Sequence, residues 1–132
     1  MGNNAAGYAF RVEFEDVDSY KIAHHTKLLA YLERARTRYF QDAGFNLEDL
    51  TFAVLVHKVS MRFIKPARLF DEVTVTAKII ACEDFSFTVE QKIIRGSELL
   101  VKARVTHALQ DFETLETLPV TNSFHALMGN QA

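Results

Sequence analysis

Apolar and polar side chains alternate near the start of the chain. The apolar positions of this first run are Tyr8, Phe10, Val12 and Phe14. A period of two is typical of a strand with one buried face. The sequence therefore predicts a first strand from Tyr8, and it predicts that the segment 1–7 is a flexible lead-in.

After His25 the spacing of apolar residues becomes that of a helix. The residues that recur at intervals of three and four are Leu28, Leu29, Leu32, Ala35, Tyr39 and Phe40. Thr26 is the expected N-cap, because its hydroxyl can accept a hydrogen bond from the first turn, and Gly44 is the expected stop. A helix with such a broad apolar face needs a large covering surface.

From Phe52 onward the chain alternates again in four longer runs. Their apolar rows are Val59, Met61 and Phe63; Val73, Val75, Ala77 and Ile79; Phe85, Phe87, Val89 and Ile93; and Leu99, Val101, Ala103, Val105 and His107. The residues after them, 121–128, fit a short helix or a frayed tail. The order predicts an α+β fold over 8–132, a single domain in which a long central helix is wrapped by a curved five-stranded antiparallel sheet.

One helix covers only part of a five-stranded sheet, and an edge strand remains to be paired. Unpaired edges present rows of free N–H and C=O groups that favour association with another chain. We therefore expect a homo-oligomer, at least a dimer and with a tetramer as the alternative.

Composition narrows the class of protein. The chain has 132 residues and a formal net charge of -2, so it lacks the basic excess that nucleic-acid binding requires. No apolar run approaches the length of a membrane-spanning helix, which excludes integral membrane association. A single cysteine, Cys82, cannot form an internal disulfide, and we expect a cytoplasmic protein.

Candidate chemistry is concentrated in the segment 15–26, directly before the predicted helix. It contains two carboxylates, Asp16 and Asp18, and two imidazoles, His24 and His25. The free N–H groups of a helix N-terminus can stabilise an oxyanion, and a nearby carboxylate can attack a carbonyl or activate water. Each residue alone also fits a loop-capping role. We expect no metal, since hydrolytic zinc sites usually draw ligands from more separated segments.

These residues resemble a known family. Asp16-Val17-Asp18, the downstream His25 and the run Glu33-Arg34-Ala35-Arg36 are similar to the signature of hotdog-fold acyl-CoA thioesterases. The similarity is to the 4-hydroxybenzoyl-CoA thioesterase group, including its Tol-Pal-associated branch. It extends from Tyr8 to Phe112 and includes the turn 65–73.

The resemblance implies a dimer with active sites at the subunit interface and no cofactor besides the CoA thioester substrate. Asp18 is then the catalytic carboxylate, as nucleophile or general base, and Asp16 braces the loop. The backbone N–H near His25 polarises the carbonyl, and the His25 side chain orients water or substrate. The expected substrate-binding residues are Tyr20, His24, Thr26, Ser60 and Ser86.

Two departures bear on the substrate. Ser19-Tyr20-Lys21 stands where many members have glycines, and Glu83-Asp84-Phe85 where some have cations for the CoA phosphates. The remaining candidates for the phosphates are Lys58, Lys65, Arg68 and Lys78. The expected function is hydrolysis of a short-chain, medium-chain or aromatic acyl-CoA. The alternatives are an acyl-carrier-protein thioesterase and a non-catalytic acyl-CoA-binding or regulatory module.

Three further residues have structural interpretations. Glu33 and Arg36 are spaced to pair on the helix surface. His107 lies within a predicted strand, where we expect a histidine whose hydrogen bonds are satisfied.

Overall fold

A computed structural model describes residues 6–130 of the chain and the side chains of residues 6–128. The helices and strands are β1 (Ala6–Arg11), α1 (His25–Asp42), β2 (Phe52–Phe63), β3 (Glu72–Cys82), β4 (Phe87–Arg95), β5 (Glu98–Asp111), β6 (Thr117–Leu118) and α2 (Asn122–Asn130). Single 3-10 turns precede α1 and β2. Most of the predicted lead-in lies outside the described residues, and its last two, Ala6 and Gly7, belong to β1.

All strand pairs are antiparallel, in the order β1-β3-β4-β5-β2. Among residues 6–130 the sheet has six strands and not the predicted five, because β6 also pairs with β5 through Leu109 and Gln110. The pairing of β4 with β5 ends at His107, and the next residues of β5 pair with β6 instead. A strand of two residues carries no detectable period, so the alternation rule could not reveal it.

Helix α1 packs its apolar face on the sheet, where Leu28, Leu32 and Ala35 join strand residues in one core cluster. The predicted N-cap is wrong. His24 has extended backbone angles and its carbonyl accepts the N–H of Lys27 and Leu28, so Thr26 lies inside the first turn. The predicted stop is confirmed, since α1 ends before Gly44, whose φ is 99°.

The inward rows of β3, β4 and β5 are buried largely as the alternation predicts. Phe14 and Phe85 are exceptions, 74% and 54% exposed, because they lie in the turns after β1 and β3 and not in strands. The residues after β6 form α2, whose Phe124 stacks on Phe87 with ring centroids 4.6 Å apart. None of the described helices has the length and hydropathy needed to cross a membrane.

The outer edge strand β2 departs most from its predicted burial. Val59 and Phe63 were expected to face the core, yet they are 41% and 55% exposed, as are Leu55 and Val56 at 40% and 48%. The reason is the strand's position at the end of the sheet order, paired on one side only with β5. The result is a long edge with apolar side chains facing water.

Candidate active site

The loop between β1 and α1 is tied to the helix through Asp16. Its carboxylate Oδ2 accepts a 2.5 Å hydrogen bond from the Tyr31 hydroxyl and a 3.0 Å bond from the N–H of Glu13. Burial, the largest single influence, raises the pKa of Asp16, but these two hydrogen bonds together with the charges of Lys27 and Arg34 lower it below its usual value. The expectation that Asp16 braces the loop is confirmed.

Asp18 lies in a tight turn of the same loop and is half-buried. Its Oδ1 accepts hydrogen bonds from the N–H groups of Tyr20, at 2.8 Å, and Ile22, at 3.2 Å. Within the part of the chain that is described, Oδ2 of Asp18 accepts no hydrogen bond. One carboxylate oxygen therefore fixes the turn, and the other is available for a reacting group.

The turn requires a left-handed residue at Lys21, which has φ 63°. This is the segment where many members of the resembled family have glycine, which adopts that conformation without a steric penalty. Lys21 is exposed, and its N–H bonds the carbonyl of Asp18 at 2.9 Å. The loop therefore closes around Asp18 without the glycine, at a cost in backbone strain.

The N-terminus of α1 presents donors that no described group satisfies. The first intrahelical bonds run from Lys27 and Leu28 to the carbonyl of His24, and no side chain caps the helix. Among the described residues, no acceptor bonds the N–H of His25 or Thr26. These two donors and the helix dipole favour an anion or a developing oxyanion.

A cleft of about 290 Å³ lies beside this helix start. Its walls are the loop and first turn of α1, the end of β2 and the following turn: Ile22, Ala23, His25, Leu28, Phe63, Ile64, Lys65, Pro66 and Ala67. The lining is mostly apolar, with His25 and Lys65 as its polar side chains. A thioester carbonyl at the helix start would therefore have apolar surface beside it for an acyl group.

The predicted site residues separate into two groups. His25 lines the cleft, and Asp18 adjoins it, since its carboxylate bonds the N–H of cleft residue Ile22. His24 and Thr26 flank His25 at the helix start and are exposed, and Tyr20 is 79% exposed at the tip of the turn. No group of three or more metal-ligating side chains occurs among the residues described.

The two predicted serines lie away from the cleft of their own protomer. Ser60 lies in a shallow depression of the sheet with Arg62, Lys102 and Arg104. Ser86 precedes β4 at the far end of α1, where Phe87 packs on Phe40. That end is about 22 Å along the helix axis from His25. One chain therefore does not bring the predicted residues together.

Of the four candidate cations for the CoA phosphates, two adjoin the cleft. Lys65 lines the cleft and forms an ion pair with Glu98 at 2.9 Å. Arg68 adjoins the cleft, because its backbone forms an isolated β-bridge with the cleft residue Ile22. Lys58 is exposed on β2, and Lys78 lies on β3 opposite Glu90 of β4. Position therefore favours Lys65 and Arg68.

Sequence reasoning missed a polar cluster beneath the other end of α1. Arg36 is buried, and its Nη1 donates a 3.0 Å bond to Oε1 of Gln91, whose Nε2 donates to the carbonyl of Leu32. No ion pair joins Glu33 to Arg36 within the described residues, so the predicted surface pair is wrong. The signal was present, because Gln91 occupies an inward position of β4 in an otherwise apolar row.

His107 belongs to the same cluster, and the expectation that its hydrogen bonds are satisfied is wrong for Nδ1. The imidazole is buried, and its Nδ1 has no hydrogen-bond partner among the described residues. Burial, together with the nearby charge of Arg36, lowers the pKa of His107 to about 4, although backbone hydrogen bonds with Val105 and Phe87 act in the opposite direction. The imidazole is therefore neutral at pH 7.

Comparison with known proteins shows the family of the chain. The sequence model of the Thioesterase-like superfamily matches residues 12–127. The acyl-CoA thioesterase YbgC of Haemophilus influenzae is 27% identical, covering 96% of this chain and 99% of its own. The acyl-CoA thioester hydrolase YbgC of Escherichia coli is 29% identical over 76% of this chain and 78% of its own.

Solved structures share the fold. The 1,4-dihydroxy-2-naphthoyl-CoA thioesterase from Synechocystis superposes with a TM-score of 0.86 at 17% identity, covering 96% of each chain. The chain belongs to the thioesterase-like superfamily, and the predicted α+β class with an antiparallel sheet, as in solved thioesterases, is confirmed. It is a thioester hydrolase.

Proposed function

We propose that the protein hydrolyses short-chain, medium-chain or aromatic acyl-CoA thioesters with Asp18 as the catalytic carboxylate and without a metal. The observation that carries this proposal is the placement of Asp18 beside a helix N-terminus with two free N–H donors. The names of the YbgC relatives support CoA as the carrier of the acyl group.

In the proposed reaction, the carbonyl oxygen of the thioester lies against the N–H groups of His25 and Thr26. Each such donor typically lowers the energy of a developing oxyanion by about 3 kcal/mol. Asp18 either attacks the carbonyl carbon, giving an acyl-enzyme anhydride that water cleaves, or removes a proton from the attacking water. The carbon–sulfur bond breaks, and the products are the free acid and the CoA thiol.

A second copy of the chain completes the proposed site. The apolar outer edge of β2 favours pairing with the same strand of another copy, and isologous contacts are the commonest in homo-oligomers. An antiparallel pair places the Phe63 end of one β2 beside the Phe52 end of the other. The region around Ser86 in one copy then approaches the cleft of its partner.

Lys65 and Arg68 are the proposed contacts for the CoA phosphates, because both lie at the cleft. Lys65 already pairs with Glu98, so it would have to exchange that surface ion pair for a phosphate. Exposed ion pairs of this kind contribute about 1 kcal/mol or less, which makes the exchange feasible.

A second candidate substrate is an acyl group on an acyl carrier protein, which is strongly acidic. Arg62, Lys102 and Arg104 line one depression on β2 and β5, away from the cleft. A basic surface of this kind favours docking of an acidic carrier.

The test is thiol release from acyl-CoAs of graded length and from aromatic acyl-CoAs, with the same acyl groups on a carrier protein. The proposal expects steady turnover of at least one CoA thioester. Tight binding of the CoA thioesters without thiol release would contradict it and indicate a non-catalytic binding module.

A further inference from the structure

A second cavity, of about 310 Å³, lies at the opposite end of α1 from the cleft. Most of its wall is apolar or aromatic, from the second half of α1, the start of β2 and α2. Three titratable side chains interrupt that lining, namely Glu33, Arg36 and His107, and Thr37 adds a hydroxyl. Nothing in the proposed hydrolysis uses them.

The cavity and the cleft share one face of α1. His25 in the cleft and Arg36 in the cavity are 11 positions apart, which is three helical turns and about 16 Å along the axis. Strand β2 supplies the facing wall in both places, through Phe63 at the cleft and Phe52 at the cavity. An acyl chain that starts at the helix N-terminus and lies along this face of α1 would point toward the cavity.

The guanidinium of Arg36 makes no direct ion pair. Its Nη1 donates to the neutral amide of Gln91, and no carboxylate lies within 4.0 Å of it among the described residues. Burial lowers the pKa of Arg36, and the charge of Glu33 only partly offsets that effect. Buried charges in proteins are normally paired, because an unpaired one is costly to desolvate. A ligand that carries an anionic group would supply the missing pair.

The other two titratable side chains are compatible with an anionic ligand. His107 stacks on Phe87 with centroids 4.7 Å apart, and its uncharged imidazole can donate one hydrogen bond to an oxygen. Glu33 is exposed, so water screens its negative charge, whereas Arg36 is shielded from water. The buried cation thus dominates the field inside the cavity.

We propose that this cavity binds the far end of the acyl group, and that this end is a carboxylate held by Arg36. The inference rests on the proposed acyl-CoA hydrolysis and specifies its substrate class: thioesters of dicarboxylic acids. A plain alkyl chain would displace water from the cavity and leave the guanidinium without a partner. A site built for a polar group rejects an analogue that lacks it far more strongly than an apolar pocket rejects a methylene.

The experiment compares thiol release from two chains of equal length, suberoyl-CoA, which ends in a carboxylate, and octanoyl-CoA, which ends in a methyl group. The wild-type protein is expected to favour suberoyl-CoA in kcat/KM by at least about tenfold. Arg36→Met should lose that preference. Arg38→Met is the matched control, because Arg38 is an exposed residue of the same helix, and it should keep the preference.

Binding gives a readout that is independent of turnover. Calorimetry with the Asp18→Asn protein should show tighter binding of suberoyl-CoA than of octanoyl-CoA, and His107→Phe in that background should reduce the difference if Arg36→Met does not fold. Equal treatment of the two thioesters by the wild-type protein, or a preference that survives Arg36→Met, overturns the inference. Absence of thiol release from every acyl-CoA would instead overturn the proposed function.

Discussion

The Tyr31 hydroxyl donates a 2.5 Å hydrogen bond to Oδ2 of Asp16 and so joins the interior of α1 to the loop that carries Asp18. Both partners are buried, and the phenol also stacks on Phe10, with centroids 5.4 Å apart. The bond fixes the loop against the same helix whose N-terminus faces the cleft. Asp16 therefore positions the loop that carries Asp18.

Replacing Tyr31 by phenylalanine should destabilise the fold. The change removes a hydrogen bond to a charged group, for which the expected loss in free energy of unfolding is about 2 kcal/mol, measured by urea denaturation at pH 7. Tyr20→Phe is the control, because Tyr20 is 79% exposed, and it should unfold like the wild type.

The same variant has a pH signature. The hydrogen bond lowers the pKa of Asp16 in the folded state, so its stabilisation is present above the unfolded pKa and is lost as pH falls through the folded one. The stability gap between wild type and Tyr31→Phe should therefore narrow in acid. A difference in free energy of unfolding that stays constant from neutral pH into strong acid would contradict the assignment of the Asp16 carboxylate as the acceptor of the Tyr31 hydrogen bond.

His107 should make stability depend on pH in a higher range. Its pKa falls from 6.5 in the unfolded chain to about 4 in the folded one, so the unfolded state binds the extra proton between these values. Stability should therefore decline as pH falls from about 6.5 to 4, by ~3 kcal/mol in total. His107→Phe should flatten this part of the profile, and an unchanged slope would contradict the assignment.

The sequence predicts the fold well where one face of an element is buried. In β3 and β5 the side chains predicted to be buried are largely buried, because each of these strands has a neighbouring strand on both sides. Edge strand β2 carries the same alternation, but its apolar row is exposed, since position in the sheet cannot be deduced from a period of two. The buried position of Arg36 could not be predicted either, because charged residues on a helix are usually at its surface.

The exposed row on β2 predicts the oligomeric state. Val59→Lys should convert the proposed dimer to a monomer and abolish thiol release, because a charge at the apolar edge opposes pairing. Light scattering coupled to gel filtration measures the mass. Ala9→Lys adds the same charge to the exposed side of β1, at the other edge of the sheet, and should leave the mass unchanged.

Backbone strain at Lys21 gives a stabilising substitution. A left-handed residue with a side chain costs about 1–2 kcal/mol, and glycine loses about 0.5–1 kcal/mol through its freedom in the unfolded chain. Lys21→Gly should therefore raise the free energy of unfolding by about 0.5 kcal/mol. Ser19→Gly, at a position without positive φ in the same turn, should lower it. Destabilisation by Lys21→Gly would show that the turn differs from the one described.

The candidate site was predictable only in its local part. Asp18 and His25 are close in sequence and directly precede a helix, so their proximity follows from chain connectivity. Ser60 and Ser86 were assigned through family resemblance, and the chain places them away from the cleft. In the proposed dimer, a second copy of the chain brings the Ser86 region toward the cleft, and sequence periodicity does not describe such a contact.

The role of Asp18 is tested most directly by the kcat for thiol release of Asp18→Asn on the best acyl-CoA found for the wild type. An amide can neither attack the thioester nor take a proton from water, so kcat should fall by about a hundredfold or more, with unchanged circular dichroism. Asp49→Asn, in the exposed turn before β2, should retain wild-type turnover. Wild-type turnover by Asp18→Asn would contradict the proposed mechanism.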